Sequence, residues 1–194
     1  MKNFTSIMLQ AMFMSALMLG YSSCSNNKTE DSKEVAEAHN DAKFDNSKNE
    51  KDAQFLVNAA EINREEISLG QLAQQSGKTR DVKELGKMME KAHTKSLVNL
   101  TAMAATKNIS IPSTQTEKEQ EVYKKLSDKS GINFDKTYAE MMVDGHKDAI
   151  RLFETASNES TDLDIKAWAT ATLPDLRLHL DHSLVCQKKI SKMN

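Results

Sequence analysis

Two histidines in this sequence follow a pair of methionines at the same spacing. The motif Met-Met-x-x-x-His ends at His93 in one copy and at His146 in the other. Because residues four apart share one face of a helix, each histidine lies one turn after a methionine, Met89 or Met142. Imidazole nitrogen binds zinc, copper, iron and nickel, and thioether sulfur adds affinity for Cu(I). The motif therefore indicates a transition-metal site, with simple core packing as the alternative for the methionines.

Two further side chains of ligand type fall on the inward faces of other helical patterns. Glu66 lies in register with Leu56 and Ala59, and His179 lies in register with Leu176. A metal site inside a helical bundle is built from inward side chains on facing helices. We therefore predict a site formed by Glu66, His93, His146 and His179, with Met89 and Met142 as additional candidate ligands. The metal would be copper, zinc or iron.

The alternative is that these histidines are structural. In that case Asn63, Glu66, Thr172 or water would satisfy their ring nitrogens, as is usual for buried polar groups. A ferritin-type di-iron centre is disfavoured, since it needs Glu-x-x-His twice and two further glutamates. Glu90 and His93 supply one such pair, but Val143 and Leu176 occupy the equivalent positions before the other two histidines.

The helices that would carry these residues follow from periodicity. The sequence has two prolines and six glycines, and no Val/Ile/Thr-rich alternating run suggests a strand. We predict four long helices and, in the connection between the second and third, a short helix after Thr116. The long helices are expected at 52–76, 80–107, 133–157 and 162–192.

Loop lengths predict how these helices are arranged. Short loops join the first helix to the second and the third to the fourth, so each pair is an antiparallel hairpin. The connection at 108–132 is long enough to run back along the molecule, which makes the second and third helices parallel. The predicted fold is all-α, a ferritin-like four-helix bundle with one long crossover connection carrying a short helix.

This topology gives approximate heights along the bundle at a rise of about 1.5 Å per residue. Glu66, His93 and His146 come at about 21, 16 and 18 Å, within one turn of each other, whereas His179 comes at about 26 Å. The first three are expected at one level, with His179 about two turns from His93.

The N-terminus resembles a bacterial lipoprotein signal. A charged start is followed by an apolar run over 7–20 and then by Ser22-Ser23-Cys24, although Tyr21 stands where leucine is usual. Residues 1–23 are expected to be removed, leaving lipid on Cys24 as the membrane attachment. The alternative is an uncleaved membrane anchor. The expected location is the bacterial cell envelope, as an outer membrane lipoprotein facing the periplasm or the cell surface.

The segment 24–51 is polar and is expected to be a flexible tether with a transient helix around 33–42, and 52–194 is expected to be the helical domain. Residues 1–23 contain one charged side chain, Lys2, so the mature chain has 25 basic and 28 acidic residues and a net charge of −3. This balance gives no support to nucleic-acid binding, which needs a basic surface. Protein partners are not indicated.

Several motifs in order resemble the bacterial domain of unknown function 4142 family. They are Phe55-Leu-x-x-Ala-Ala60, Glu66-Ile-x-Leu-Gly-x-Leu-Ala73, Met89-x-x-x-His93, Met142-Val-x-x-His146-x-x-Ala-Ile-x-Leu-Phe153 and Ala171-Thr-Leu-Pro-Asp-Leu-x-x-His-Leu180. The resemblance spans 52–185 and implies an exported, ferritin-like helical protein. It also implies an Asp immediately before His93 and before His146, where this chain has Ala92 and Gly145.

Three classes of function follow from these observations. The first is a membrane-tethered protein that binds or buffers a transition metal or acts in stress. The second is a non-catalytic envelope scaffold whose histidines are structural. The third is a metal-dependent redox enzyme, which requires an open coordination position. The sequence contains no nucleophile triad and no glycine-rich phosphate loop, so it does not itself identify an enzyme.

Overall fold

The computed structural model describes residues 30–44 and 47–193, and this part of the chain is all-α. It contains six helices and no strand within those ranges. They are α1 (Ser32–Asp41), α2 (Ser47–Ser76), α3 (Arg80–Thr106), α4 (Glu117–Ser127), α5 (Gly131–Glu159) and α6 (Leu163–Ile190). The four predicted long helices and the short helix after Thr116 are confirmed to within a few residues.

Polar side chains begin four of these helices, and Asp31 caps α1. The hydroxyl of Thr79 accepts a hydrogen bond from the backbone N–H of Val82, and that of Thr116 accepts one from Glu119. The carboxylate of Asp162 caps α6 in the same way. Each cap satisfies backbone N–H groups that have no partner inside the helix. The caps place the starts of α1, α3, α4 and α6.

Helices α2 and α3 form an antiparallel hairpin with a close backbone approach. A Cβ atom placed on Gly70 would lie 2.7 Å from the carbonyl oxygen of Gly86, and one placed on Gly86 would lie 2.7 Å from that of Gly70. Real Cβ atoms do not come this close, so both positions require glycine. This contact brings the two helix axes together one to two turns from Asn63 and His93.

The remaining long helices pack around this hairpin. Rings of Phe153 on α5 and Trp168 on α6 lie 5.2 Å apart, and α5 packs on α2 through Phe153 and Phe55 at 5.1 Å. At the other end, the backbone N–H groups of Lys78 and Thr79 donate to Asp135. Helix α2 therefore runs antiparallel to both α3 and α5, and α3 and α5 run in the same direction.

The buried apolar residues fall into two clusters with polar side chains between them. The first cluster lies towards the start of α2 and includes Phe55, Leu100 and Phe153, while the second lies towards its end and includes Leu69, Met89 and Met142. Along α3, His93 follows Met89 and precedes Leu100. The buried histidines therefore lie where the two apolar clusters meet.

Helix α1 lies within the segment expected to be a flexible tether, at the place where a transient helix was expected, and it packs against the rest of the protein. The ammonium group of Lys33, on α1, forms an ion pair with Glu61, on α2, at 2.9 Å. The amide of Asn40 donates to the carbonyl of Ser110 and accepts from its N–H, both at 2.8 Å. Composition does not reveal this docking, because it depends on hydrogen bonds and one ion pair, with Ala36 the buried apolar contact.

The predicted signal peptide and Cys24 lie outside the described residues. Within residues 30–44 and 47–193, no helix combines the length and apolar character that are needed to cross a bilayer.

Candidate metal centre

Three buried histidines, one from each of α3, α5 and α6, converge in the core. The ring centroids of His93, His146 and His179 are separated by 5.4 to 5.5 Å, so the three imidazoles form a nearly equilateral triangle. One ring nitrogen from each lies within 4.8 Å of the other two. Nitrogens about 2.1 Å from one tetrahedral metal ion lie about 3.4 Å apart, so small movements of the rings would bring all three to a shared ion. The spacing therefore suits a shared ion.

His179 joins the triangle although its Cα was expected about two turns from that of His93. The height estimate compared Cα positions, whereas helical side chains lean towards the N-terminus of their own helix. Because α3 and α6 run in opposite directions, the two side chains lean towards each other. The predicted gap for His179 was therefore wrong for the rings, and all three imidazoles meet.

A hydrogen bond to Asn63 on α2 orients the ring of His93. Nδ1 of His93 lies 3.0 Å from Oδ1 of Asn63, whose amide nitrogen donates to the carbonyl of Ala59 at 2.7 Å. The amide orientation leaves Oδ1 as the acceptor, so the His93 ring carries its proton on Nδ1. Nε2 then carries the lone pair that can bind a metal.

His146 is oriented by its own helix. Its Nδ1 lies 2.8 Å from the carbonyl oxygen of Met142, one turn earlier on α5. A carbonyl accepts only, so the proton is on Nδ1 and the lone pair is on Nε2. Outer hydrogen bonds of this kind hold metal-binding histidines in the correct tautomer and orientation.

Each of the three rings has a buried nitrogen with no hydrogen-bond partner. These atoms are Nε2 of His93, Nε2 of His146 and Nδ1 of His179. A buried polar atom without a partner carries a desolvation cost of about 1–3 kcal/mol, and native proteins contain few of them. The polypeptide itself supplies no hydrogen-bond partner to these three atoms on adjacent rings.

The same environment keeps the rings uncharged. Burial, with a further contribution from the other two imidazoles, holds the pKa of His93 well below its usual value. Burial also lowers the pKa of His146 to about 4, although the hydrogen bond to Met142 acts in the opposite direction. The pKa of His179 is lowered by burial, against the influence of Asp175. Neutral imidazole is the form that binds metals.

Glu66 lies beside this triangle, next to the protonated nitrogen of His146. Its Oε1 is 3.6 Å from Nδ1 of His146. The group of residues whose ligand atoms lie within 4.8 Å of one another consists of the three histidines and does not include Glu66. Burial raises the pKa of Glu66 well above its usual value. A Cβ on residue 145 would lie 3.3 Å from the same Oε1, so Gly145 leaves room for the carboxyl group. Glu66 therefore lies on the Nδ1 side of the His146 ring.

The two methionines lie in the adjoining core. Met89 and Met142 are buried and belong to the second apolar cluster, one turn before His93 and His146. Tyr138, on the inward face of α5, has a buried hydroxyl without a partner. Burial and the nearby Glu66 raise the pKa of Tyr138 well above its usual value. A hydroxyl on an inward face was the signal that could have identified this group.

A cleft between α3 and α6 reaches the triangle from the surface. Its volume is about 290 Å³, and its walls include His93 and His179. Lys91, Lys95 and Asp175 line the same cleft and are exposed. His146 is not part of its walls, so the cleft meets the triangle on the side formed by α3 and α6.

Comparison with known proteins identifies a family. The model for the domain of unknown function DUF4142 matches residues 34–184. This range begins within α1, upstream of the expected domain boundary at residue 52, and ends within α6. Neither the search of curated proteins nor the search of solved structures returned a match. Since the family model covers most of the sequence, from α1 to α6, the chain belongs to the DUF4142 family.

Proposed function

We propose that this protein binds one divalent transition-metal ion between His93, His146 and His179, and that binding or buffering this metal is its function. The observation that carries the proposal is the set of three buried ring nitrogens without hydrogen-bond partners, on three rings that each bring one nitrogen within 4.8 Å of the others. A purely structural role leaves this set unexplained. The hydrogen bonds that His93 donates to Asn63 and His146 donates to Met142 satisfy only the other nitrogen of these two rings.

The donor set defines the class of metal. Three neutral imidazoles suit zinc, copper, iron and nickel, whereas calcium and magnesium prefer oxygen ligands. If Met89 or Met142 turned its sulfur towards the centre, Cu(I) would be favoured over Zn(II). The ion would supply Lewis acidity or, if it is copper or iron, electron transfer. The chain's own residues orient the imidazoles and hold them in an apolar surrounding.

The proposed architecture around the metal is a ferritin-like four-helix bundle of α2, α3, α5 and α6 with one crossover. Two contacts support it. Phe55 near the start of α2 contacts Phe153 near the end of α5. The backbone N–H groups of Lys78 and Thr79 after α2 donate to Asp135 near the start of α5, so α2 runs antiparallel to α5. The long connection from α3 to α5, which carries α4, then spans the length that a crossover requires.

The proposed setting is the bacterial envelope. Export as a lipoprotein rests on Ser22-Ser23-Cys24 after an apolar run. Lipid on Cys24 would attach the helical domain to the outer membrane, facing the periplasm or the surface. A tethered metal-binding domain would buffer its ion close to that membrane, and a stress-related role fits the same setting.

Thermal unfolding with and without metal tests the site. A ligand that binds only the folded state stabilises it by about 2.7 kcal/mol at a free concentration of 100 times the dissociation constant. We expect the melting temperature to rise with Zn(II), Cu(II) or Fe(II) and to stop responding in His93→Ala, His146→Ala and His179→Ala. His182→Ala, an exposed histidine one turn further along α6, is the matched control and should respond as the wild type.

The alternative scaffold function predicts a different result. Each histidine variant would then change the melting temperature equally with metal and with chelator. An equal metal response in the wild type and in His93→Ala/His146→Ala would reject the metal site and leave the scaffold function.

A further inference from the structure

We propose that the cleft between α3 and α6 admits a small anion to a coordination position that the three histidines leave open on the metal. This inference rests on the proposed metal site and adds the class of ligand that the site accepts. The anion would bind the metal directly, as a fourth ligand, with the cleft as its route from solvent.

The number of protein ligands leaves a position vacant. Three protein ligands with an exchangeable fourth position are typical of zinc sites that react with small molecules, whereas structural sites are closed by four protein ligands. The described residues bring three imidazole nitrogens within ligand distance and no fourth His, Cys, Asp or Glu. Glu66 lies on the Nδ1 side of His146, next to a nitrogen that donates to Met142.

The cleft reaches the metal on its α3–α6 side. Two of its wall residues, His93 and His179, are themselves corners of the histidine triangle. The space of about 290 Å³ is close to the lower end of the usual range for small-molecule sites. Ala92 and Ser96, both partly exposed, form the α3 side of the passage. A ligand of a few atoms can therefore lie between the surface and the metal.

Charge favours an anion in this space. Three neutral imidazoles leave the metal's double positive charge uncompensated, and a bound cation is the largest local charge in such a site. Lys91 and Lys95 line the cleft from α3, against the single carboxylate of Asp175 from α6. The net charge of these groups is positive. Apolar neighbours such as Phe153 and Leu176 reduce the screening of these charges by water.

Azide is a suitable probe, with Co(II) as a metal whose visible spectrum reports its coordination. The purified protein loaded with Co(II) is titrated with sodium azide while absorbance and bound cobalt are both measured. We expect a saturable spectral change with the cobalt retained. Ala92→Phe should keep Co(II) affinity within about 3-fold and weaken azide binding by about 10-fold or more.

Matched variants separate the cleft from general effects. Thr94→Phe adds the same ring at an exposed position of α3 outside the cleft and should leave azide affinity unchanged. Lys91→Gln/Lys95→Gln should weaken azide binding several-fold, and less so at high salt. Lys83→Gln/Lys87→Gln removes the same charge elsewhere on α3 and should have little effect. If the Ala92→Phe variant no longer binds Co(II), the Ser96→Leu variant, which narrows the same wall of the cleft, is used for the azide titration instead.

The outcomes distinguish this inference from the metal site itself. Failure of the wild type to bind Co(II), Zn(II) or Cu(II) would reject both. Co(II) binding without any azide response, or with azide removing the metal, would reject the open position alone. An equal azide affinity in the wild type and in both cleft variants would reject the cleft as the route.

Discussion

Nδ1 of His93, on α3, lies 3.0 Å from Oδ1 of Asn63, on α2, and both side chains are buried. This hydrogen bond joins a helix that supplies no histidine to one that does. It holds the proton on Nδ1 and so leaves the lone pair on Nε2 of His93, a buried atom without a hydrogen-bond partner. Asn63 is therefore a positioning residue for the proposed metal centre.

Replacing Asn63 should weaken metal binding without removing a ligand. In Asn63→Leu the shape is kept but the acceptor is lost, so His93 can rotate or change tautomer. We expect Zn(II) affinity to fall by about 10- to 100-fold, as for other partners of metal-binding histidines. Isothermal titration calorimetry measures this. Asn58→Leu, a half-buried asparagine of α2, is the control, and an equal loss in both variants would show that the effect is not specific to Asn63.

Glu66 offers a test of which residues contact the metal. Because its Oε1 lies next to the protonated Nδ1 of His146, we expect Glu66→Gln to keep the metal, with a loss in affinity of about 10-fold or less. His146→Ala should abolish the metal-dependent rise in melting temperature. If Glu66→Gln removes that rise as completely as His146→Ala, Glu66 is a ligand as the sequence suggested.

Glu119 on α4 predicts a pH dependence of stability away from the metal site. Burial, reinforced by nearby Glu61, raises the pKa of Glu119 to about 8 in the folded state. The folded protein therefore binds a proton that the unfolded chain releases near pH 4.5. The stabilisation from this proton is fully present below that value and is lost as the pH rises towards about 8, at no more than about 1.4 kcal/mol per pH unit.

Glu119→Gln should remove this dependence. Chemical denaturation at pH 5 and pH 8 should show the variant becoming more stable relative to the wild type at the higher pH. Glu121→Gln, at an exposed position of the same helix, should follow the wild type at both values. A difference between Glu119→Gln and the wild type that stays constant with pH would contradict the prediction.

Asn40 tests whether α1 belongs to the folded domain. Its side chain is buried and makes two hydrogen bonds to the backbone of Ser110. In Asn40→Ala both backbone groups lose their partner, so we expect the free energy of unfolding to fall by about 1–3 kcal/mol. Urea denaturation measures this, with exposed Asp41→Ala as the control. No loss in Asn40→Ala would favour the flexible tether.

Lipid attachment is a prediction from the sequence alone. Expressed in a bacterium, the wild type should incorporate labelled fatty acid and fractionate with membranes, and Cys24→Ala should do neither. Cys186→Ala removes the other cysteine, which is buried in α6, and should label as the wild type. Equal labelling of Cys24→Ala and the wild type would exclude lipidation at Cys24.

Local sequence patterns determined the elements of this protein and the faces that its residues occupy. Helix boundaries could be predicted because caps such as Thr79 and Thr116 act within a few residues. Apolar spacing placed His93, His146 and His179 on inward faces, since the period of a helix depends on neighbouring residues alone. The family could also be identified from these motifs.

Only the tertiary structure decided which inward side chains meet. Distances between side chains of different helices depend on the direction of each helix and on the lean of each side chain. For this reason the ring of His179 lies beside those of His93 and His146, whereas Glu66 lies on the Nδ1 side of His146. The docking of α1 through Asn40 and the cleft beside Ala92 depend on contacts between residues distant in sequence. Helical periodicity is a short-range property, whereas a metal site requires atoms of separate helices to converge within a few ångströms, and this is decided only when the helices pack.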